Sequence, residues 1–256
     1  MLARKMKLNK YFYATFLPLH VFFIAALFSY SIVNWFLIFC FWVLLSGFGV
    51  GVYLHRYLSH KSFKMNKWID RILLFISCAT AQGSPIFWVN MHRGYHHRFS
   101  DTDKDPHSPV KGYFYSYCGW MNTIDYKALN YKYVTDLGRD KWHRFVNNYY
   151  FEIVPAIWII SLLISPTIFY SLVIAQIIAM HQEFCVNLFC HIRTMPFSYR
   201  NFDTKDNSVN YWLPGILLWG VGFHNNHHGK PSSYDFGCKK GEIDFTKYLV
   251  RLIKLK

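Results

Sequence analysis

Apolar residues run in blocks along this chain. From Tyr11 to Leu54 no Asp, Glu, Lys or Arg occurs, and from Ile153 to Ile192 only Glu183 carries a charge. A bilayer-crossing helix needs roughly 20 apolar residues. Each block therefore predicts two spans, at about 11–31 and 35–54, then about 148–163 and 167–190. The first pair turns at the uncharged hinge Ser31 to Asn34, the second at Ser165-Pro166, and Pro18 falls near the first turns of its helix, where proline is tolerated. A third apolar stretch, Ile72 to Met91, is interrupted by Gln82-Gly83-Ser84-Pro85. That is a strong breaker, and it predicts two short helices at the interface or against the bundle. Arg98 to Asn148 is polar, charged and aromatic, as expected of a cap outside the bilayer. Tyr211 to Gly222 is apolar but only about half a span long. The tail from Phe245 alternates Lys and Arg with Tyr, Leu, Val and Ile, the pattern of an interfacial amphipathic helix.

The composition agrees with these blocks. The 256 residues are 53% hydrophobic and only 16% charged, where soluble domains carry about 25% charged residues. The reading is an all-α integral membrane protein. It has one domain (1–256) of four transmembrane helices, with a helical cytosolic cap from 55–147 and 191–256. A net charge of +14 would in a soluble chain suggest nucleic acid, but no basic-aromatic recognition motif is present. Cytoplasmic segments of membrane proteins are rich in Lys and Arg, and both expected outer loops lack them. Both termini are thus expected in the cytoplasm, at a bacterial inner membrane or the endoplasmic reticulum. The basic start MLARKMKLNK precedes an apolar stretch too long for a signal peptide, so an uncleaved first span is expected. The six cysteines show no CxxC spacing, and reduced thiols are the expectation.

Chemistry concentrates in the histidines. Eight of the 13 fall in three short boxes: HRYLSH (His55, His60), HRGYHH (His92, His96, His97) and HNNHH (His224, His227, His228). A ninth, His191, ends an apolar run, four residues after Asn187. Neutral imidazole is a good ligand for iron, zinc or copper. Residues three or four apart share a helix face, which pairs His92 with His96 and His224 with His228. A doubled His-His aims two rings about 100° apart, so one segment can serve two metals. His55 and His60, five apart, diverge on a straight α-helix, so either the helix unwinds near its end or each serves a different ion. The boxes can share a site only on one membrane face, which is why Ile72 to Met91 cannot cross. His20 and His181 are expected to be structural and His143 a residue of the cap surface. His107 is expected to be structural or to sit behind the ligands.

These boxes, with SHKSFK, QGSPIFWVNMHRGYHHRFSDTDKDPHSP, VNLFCH and GFHNNHHGKPSSYDFG around them, resemble the membrane fatty acid desaturases. The likeness is to the acyl-CoA desaturase-like (stearoyl-CoA, delta-9) branch and runs from about residue 35 to the end. It implies a non-haem di-iron centre and O2-dependent insertion of a cis double bond into a saturated acyl chain held in a kinked tunnel. Carried over residue by residue, it makes His55, His60, His92, His96, His97, His191, His224, His227 and His228 the iron ligands and Asn187 the holder of a metal-bound water. Two positions depart from the branch. Three residues rather than two separate His92 from His96, which predicts that Gly94 absorbs the extra one, and Val221 stands where Glu is common.

Gly47, Gly49 and Gly51 suit either close helix packing or, with Phe48 and Tyr53, the wall of an acyl slot. Arg93, Arg98, Lys104, Lys111 and Arg144 are candidates for the phosphates of an acyl carrier. No GxGxxG follows a strand, so electrons are expected from an external donor, a cytochrome b5-like protein or a ferredoxin, drawn to a basic cap. A membrane di-iron acyl or hydrocarbon hydroxylase shares the same residues. A metal transporter would need ionisable groups in mid-membrane, and a b-type cytochrome would use single facing histidines.

Overall fold

Each apolar block becomes helix in the computed structural model, which describes residues 9–255. The basic start expected to lead into the first span falls at 1–8, outside the described residues. The structure is all helical, and among the described residues β-pairing is limited to isolated bridges such as Tyr199 with Asn210. Helix α1 is Phe12–Phe28 and α2 is Trp35–Ser59. Asn34 starts α2, its side chain accepting from the Leu37 amide at 3.0 Å, as an N-cap should. Helices α3 (Lys67–Cys78) and α4 (Pro85–Val89) follow. The breaker at 82–85 separates them as expected, with Ser84 capping α4 through the Phe87 amide. Helix α4 runs on through a wider-turned segment, Asn90–His96, into His97–Phe99.

After the cap come α5 (Lys141–Asn148) and α6 (Tyr150–Ile164), which meet at a 72° bend. Helix α7 (Pro166–Phe189) starts with Ser165 as cap and Pro166 in its first turn. Helices α8 (Trp212–Leu217), α9 (His224–Gly229) and α10 (Phe245–Ile253) complete the chain. Helices α2 and α7, of 25 and 24 residues, are long and apolar enough to cross a membrane, since each spans more than about 30 Å. Helix α1 (17 residues) and α6 (15 residues) are apolar but shorter.

Helix α7 packs on α1, α2 and α6, and α2 packs on α3 and α10. The glycines of α2 let these neighbours approach. A Cβ on Gly47 would lie 2.9 Å from Leu249 Cδ1, one on Gly49 2.9 Å from Thr80 Cγ2, and one on Gly51 3.1 Å from Thr246 Oγ1. The tail helix α10 is amphipathic as expected, and its Thr246 and Val250 are buried. It is fastened by a fully buried ion pair. Arg56 donates to Asp244 Oδ2 at 2.8 Å, and Asp244 also caps α10 through the Thr246 amide.

Candidate metal centre

All nine boxed and flanking histidines come together, and they do so in two groups. His55, His60, His92, His97 and His227 form one; His96, His191, His224 and His228 form the other. Within each group the candidate ligand atoms lie within 4.8 Å of one another. In the five-histidine group Nε2 atoms approach at 2.9 Å (His55–His227), 2.8 Å (His97–His227), 2.9 Å (His60–His92) and 3.1 Å (His92–His97). In the four-histidine group His224 Nε2 lies 2.9 Å from that of His191 and 3.1 Å from that of His228.

Helix geometry explains the partition. From Val43 to Ser59, α2 is wound with five-residue rather than four-residue hydrogen bonds, and the His60 amide donates to the His55 carbonyl at 3.2 Å. In such a π-turn, residues five apart replace residues four apart as neighbours. His55 and His60 thus share a face, and the wider turn is the unwinding their spacing required. The same device acts at Asn90–His96, where the His97 amide donates to the His92 carbonyl. This corrects the expected His92/His96 pair: His92 belongs with His97, and His96 turns to the other group. The wider turn takes up the extra residue of this box. Gly94 permits it, because a Cβ there would sit 2.8 Å from Asn90 Oδ1 and 2.8 Å from Tyr133 Cδ2.

Three aspartates stand behind the four-histidine group. His96 Nδ1–H donates to Asp105 Oδ2 at 2.9 Å, His191 to Asp101 at 3.3 Å and His228 to Asp206 at 2.8 Å. Burial alone would raise these carboxyls, but their hydrogen bonds and the neighbouring imidazoles hold all three below the usual carboxylate value. An ionised carboxylate only accepts. Each of these three rings therefore donates its Nδ1 proton outward and turns Nε2 toward the other histidines. That arrangement asks for a cation. Burial first, then adjacent imidazoles, holds His92, His97, His224 and His227 far below the ordinary histidine value, in the neutral form that ligates. Burial also lowers His228 to about 4. His96 is the exception: burial lowers it, but Asp105 outweighs burial and raises it. The donor set is entirely imidazole nitrogen, which suits iron, zinc or copper.

The asparagines of HNNHH fix the third box. Asn226 donates to Phe236 O and Glu242 Oε2 and accepts from Asn201 and Asn210, all at 2.8 Å. Asn225 accepts from the Asn201 and Phe202 amides at 2.8 Å. Sequence reasoning missed these asparagines, Glu242 and the three aspartates. The one sequence signal was the acidic run DTDKDP directly after the second box, which holds Asp101 and Asp105.

Both groups open onto one cavity, lined by His55, His92, His96, His107 and His224 and otherwise largely by apolar residues such as Phe87, Met91, Met180 and Phe184. Asn187 and Val221 also line it. The residues expected to hold substrate are not among those lining this cavity. Gly47 and Gly51 admit α10 and the Trp219 loop, and Phe48 packs at the core edge. Tyr53 donates to Asp70 at 2.8 Å. Arg93 donates to the Ser59 and Tyr133 carbonyls at 3.1 and 2.9 Å, to the Leu58 carbonyl, and to Asp136. Arg98 lies 4.8 Å from the Tyr133 ring and Lys104 5.5 Å from that of Phe99. Lys111 binds the Asp105 carbonyl and Arg144 those of Gly138 and Arg139. Of the other histidines, His107 is buried behind Asp105. His143, expected at the surface, is buried instead against Tyr53 and Asp140. His20 and His181 touch through Nε2 at 2.9 Å, linking α1 to α7.

The chain is similar to known proteins. The fatty acid desaturase family profile matches residues 33–234. The chain is 33% identical over 211 residues to a chloroplastic palmitoyl-monogalactosyldiacylglycerol delta-7 desaturase of Arabidopsis thaliana, covering 80% of this chain and 56% of that one. It is 33% identical over 225 residues to an sn-2 palmitoyl-lipid 9-desaturase of Nostoc (85% and 77%). To an acyl-CoA 5-desaturase of Anemone leveillei it is 30% identical over 241 residues (92% and 74%). With two groups of converging imidazoles above an apolar cavity, and relatives at this level over most of its length, the chain belongs to the fatty acid desaturase family, oxidoreductases that act on fatty acyl chains.

Proposed function

We propose that this protein is an O2-dependent fatty acyl desaturase that introduces a cis double bond into a saturated chain at the ninth carbon. The substrate is bound as a thioester or a lipid ester. The observation that carries the reading is the joint opening of both histidine groups onto one largely apolar cavity. His55, His60, His92, His97 and His227 would hold one iron, and His96, His191, His224 and His228 the other, with Asn187 placed beside them to hold a water. Bound iron supplies the oxidising power toward O2 and an unactivated C–H bond. The protein positions the chain. Phe87, Met91, Met180 and Phe184 wall the acyl group beside the histidines and exclude water, which converts a difficult encounter into an oriented one. Asp101, Asp105 and Asp206 fix the tautomer and direction of the rings in front of them.

Four spans carry the centre, α1 and α6 serving as the shorter two. A short apolar helix is accommodated by local thinning of the bilayer. Both ends and the histidines face the cytoplasm, where the basic cap receives an acidic electron donor such as a cytochrome b5-like protein or a ferredoxin. Expression in a host followed by mass spectrometry of total lipid tests the reading. A new monounsaturated chain, absent with His96→Ala, and about two irons per chain are expected. A hydroxylated product instead would mean a hydroxylase, and no modified chain at all would remove the enzyme reading.

A further inference from the structure

Outside the metal centre, a row of hydrogen bonds forms where α1, α7 and the cap meet. Tyr117 Oη lies 2.7 Å from His181 Nδ1, His181 Nε2 lies 2.9 Å from His20 Nε2, and His20 Nδ1 lies 2.7 Å from the Phe16 carbonyl. A carbonyl only accepts, so His20 carries its proton on Nδ1 and its Nε2 accepts. His181 therefore donates from Nε2, and its Nδ1 accepts from the Tyr117 phenol. All three bonds run one way. They leave a tyrosine with a histidine base on its hydroxyl and a second histidine behind that base.

The same tyrosine is joined to the metal centre by ring contacts. The His96 ring lies 4.8 Å from that of His107, His107 5.5 Å from Trp120, Trp120 6.3 Å from Phe184 and Phe184 5.7 Å from Tyr117. Trp120 and Tyr117 are also three residues apart on one helical stretch, 115–123, a spacing that makes side chains neighbours. These two oxidisable residues differ in one respect. Among the described residues, the buried Nε1 of Trp120 has no acceptor, whereas the Tyr117 hydroxyl has one. An oxidised indole that cannot release its proton stays a cation in apolar surroundings, which is unfavourable. An oxidised phenol that hands its proton to histidine becomes a neutral radical. The pair is therefore graded, with Tyr117 the lower end.

We infer that Trp120 and Tyr117 form a route by which an oxidising equivalent leaves the metal centre in the absence of substrate, and that it comes to rest on Tyr117. The inference rests on the desaturase reading, which supplies the oxidant: iron oxidised by O2. In the step, one electron of the Tyr117 O–H bond passes by way of Trp120 to the oxidised iron pair. The proton passes to His181 Nδ1 while the Nε2 proton of His181 moves to His20. A neutral tyrosyl radical and a protonated His20 result. One electron from the external donor, with the returned proton, restores the phenol. Residues around the irons, Met91 and Met180 among them, are thereby spared oxidation to the sulfoxide.

The test mixes full-length, iron(II)-loaded protein in nanodiscs with O2 and no acyl substrate, freezes it rapidly and records electron paramagnetic resonance. Bound iron and O2 uptake are measured on the same samples. The parent is expected to give a tyrosyl radical whose hyperfine pattern changes when ring-deuterated tyrosine is incorporated. Tyr117→Phe is expected to lose that signal and to accumulate methionine sulfoxide at Met91 and Met180, with bound iron unchanged. His181→Gln keeps a hydrogen-bonding group without a base, and is expected to lower the radical yield about tenfold. Trp120→Phe keeps the ring packing and is expected to delay the radical without moving it. A purely structural tie between α1 and α7 predicts instead a lower unfolding temperature for His181→Gln and an unchanged radical. His181→Gln and Trp120→Phe decide the matter where Tyr117→Phe does not fold. A signal that survives Tyr117→Phe, or that is indifferent to both other variants, overturns the inference. O2 uptake by the iron-loaded parent with no tyrosyl radical overturns it too and leaves the desaturase reading standing. A parent that binds no iron overturns both.

Discussion

Asp105, Asp101 and Asp206 each accept a hydrogen bond from the Nδ1–H of a histidine in the four-membered group, at 2.9, 3.3 and 2.8 Å. Each thereby leaves the inward nitrogen of its ring basic and correctly aimed. Replacing such an anionic acceptor by a neutral amide keeps the shape and weakens the ligand, typically costing 10–100-fold in metal affinity. Asp206→Asn is expected to fall in that range in a chelator competition, with no comparable change in unfolding temperature for the metal-stripped protein. A variant that holds metal as tightly as the parent would remove Asp206 from the centre. At this scale the sequence was informative where residue type alone decides the chemistry. All nine histidines meet, because imidazole ligands must cluster and the boxes already grouped them. The aspartates were less legible. Asp206 lies 22 residues before His228, and a loop rather than a periodic element brings it there. The present partners of Arg93, Arg98 and Lys104, carbonyls, a carboxylate and aromatic rings, were not legible either, because a cation with such a partner looks in sequence like one without.

Among elements, the wide-turned segments Val43–Ser59 and Asn90–His96 decide which histidines share a group. Hydropathy located α1, α2, α6 and α7 and the break before α4, since burial in lipid or core selects apolar residues whatever the turn width. It could not distinguish three- and four-residue neighbours from five-residue ones, so the pairing of His92 went to the wrong partner. Gly94 is the residue on which the second wide turn depends. A methyl group there would lie 2.8 Å from both Asn90 Oδ1 and Tyr133 Cδ2, and overpacking of this kind costs about 1–3 kcal/mol. Gly94→Ala is expected to lower stability by that amount in detergent unfolding and to reduce bound metal. An unchanged metal content would show that the turn tolerates the side chain. A second element-level contact joins α2 to α10. Arg56 and Asp244 are both fully buried, and removing one member of such a pair leaves an uncompensated charge, costing about 3–5 kcal/mol. Asp244→Ala should therefore destabilise the protein far more than loss of the Asp244 helix cap alone, which is worth about 1 kcal/mol.

The molecule as a whole buries a cluster of imidazoles between its apolar helices and its cap, and this sets its response to acid. In the metal-free fold, burial and mutual repulsion hold His92, His97, His224 and His227 far below the ordinary histidine value, and burial takes His228 and His107 to about 4. In the unfolded chain all six take up a proton near pH 6.5. Between about pH 6.5 and 4 the unfolded state therefore binds more protons than the folded one, and stability must fall as pH falls. Above that window both states are neutral and the contribution is fully present. His96, raised by Asp105 despite its burial, acts in the opposite direction but is one group against six. The depressed Asp101, Asp105 and Asp206 add stability that is lost only at more acidic pH, below the unfolded carboxylate value near 4. Bound metal competes with protons for the same nitrogens, so loading should move the loss to lower pH. Unfolding temperatures of metal-stripped protein in nanodiscs, taken from pH 7.5 to 5, are expected to decline steadily below about 6.5, and those of iron(II)-loaded protein to hold longer. A flat profile for the stripped protein would mean that the histidines are solvated rather than buried together, and the shared centre would go with it.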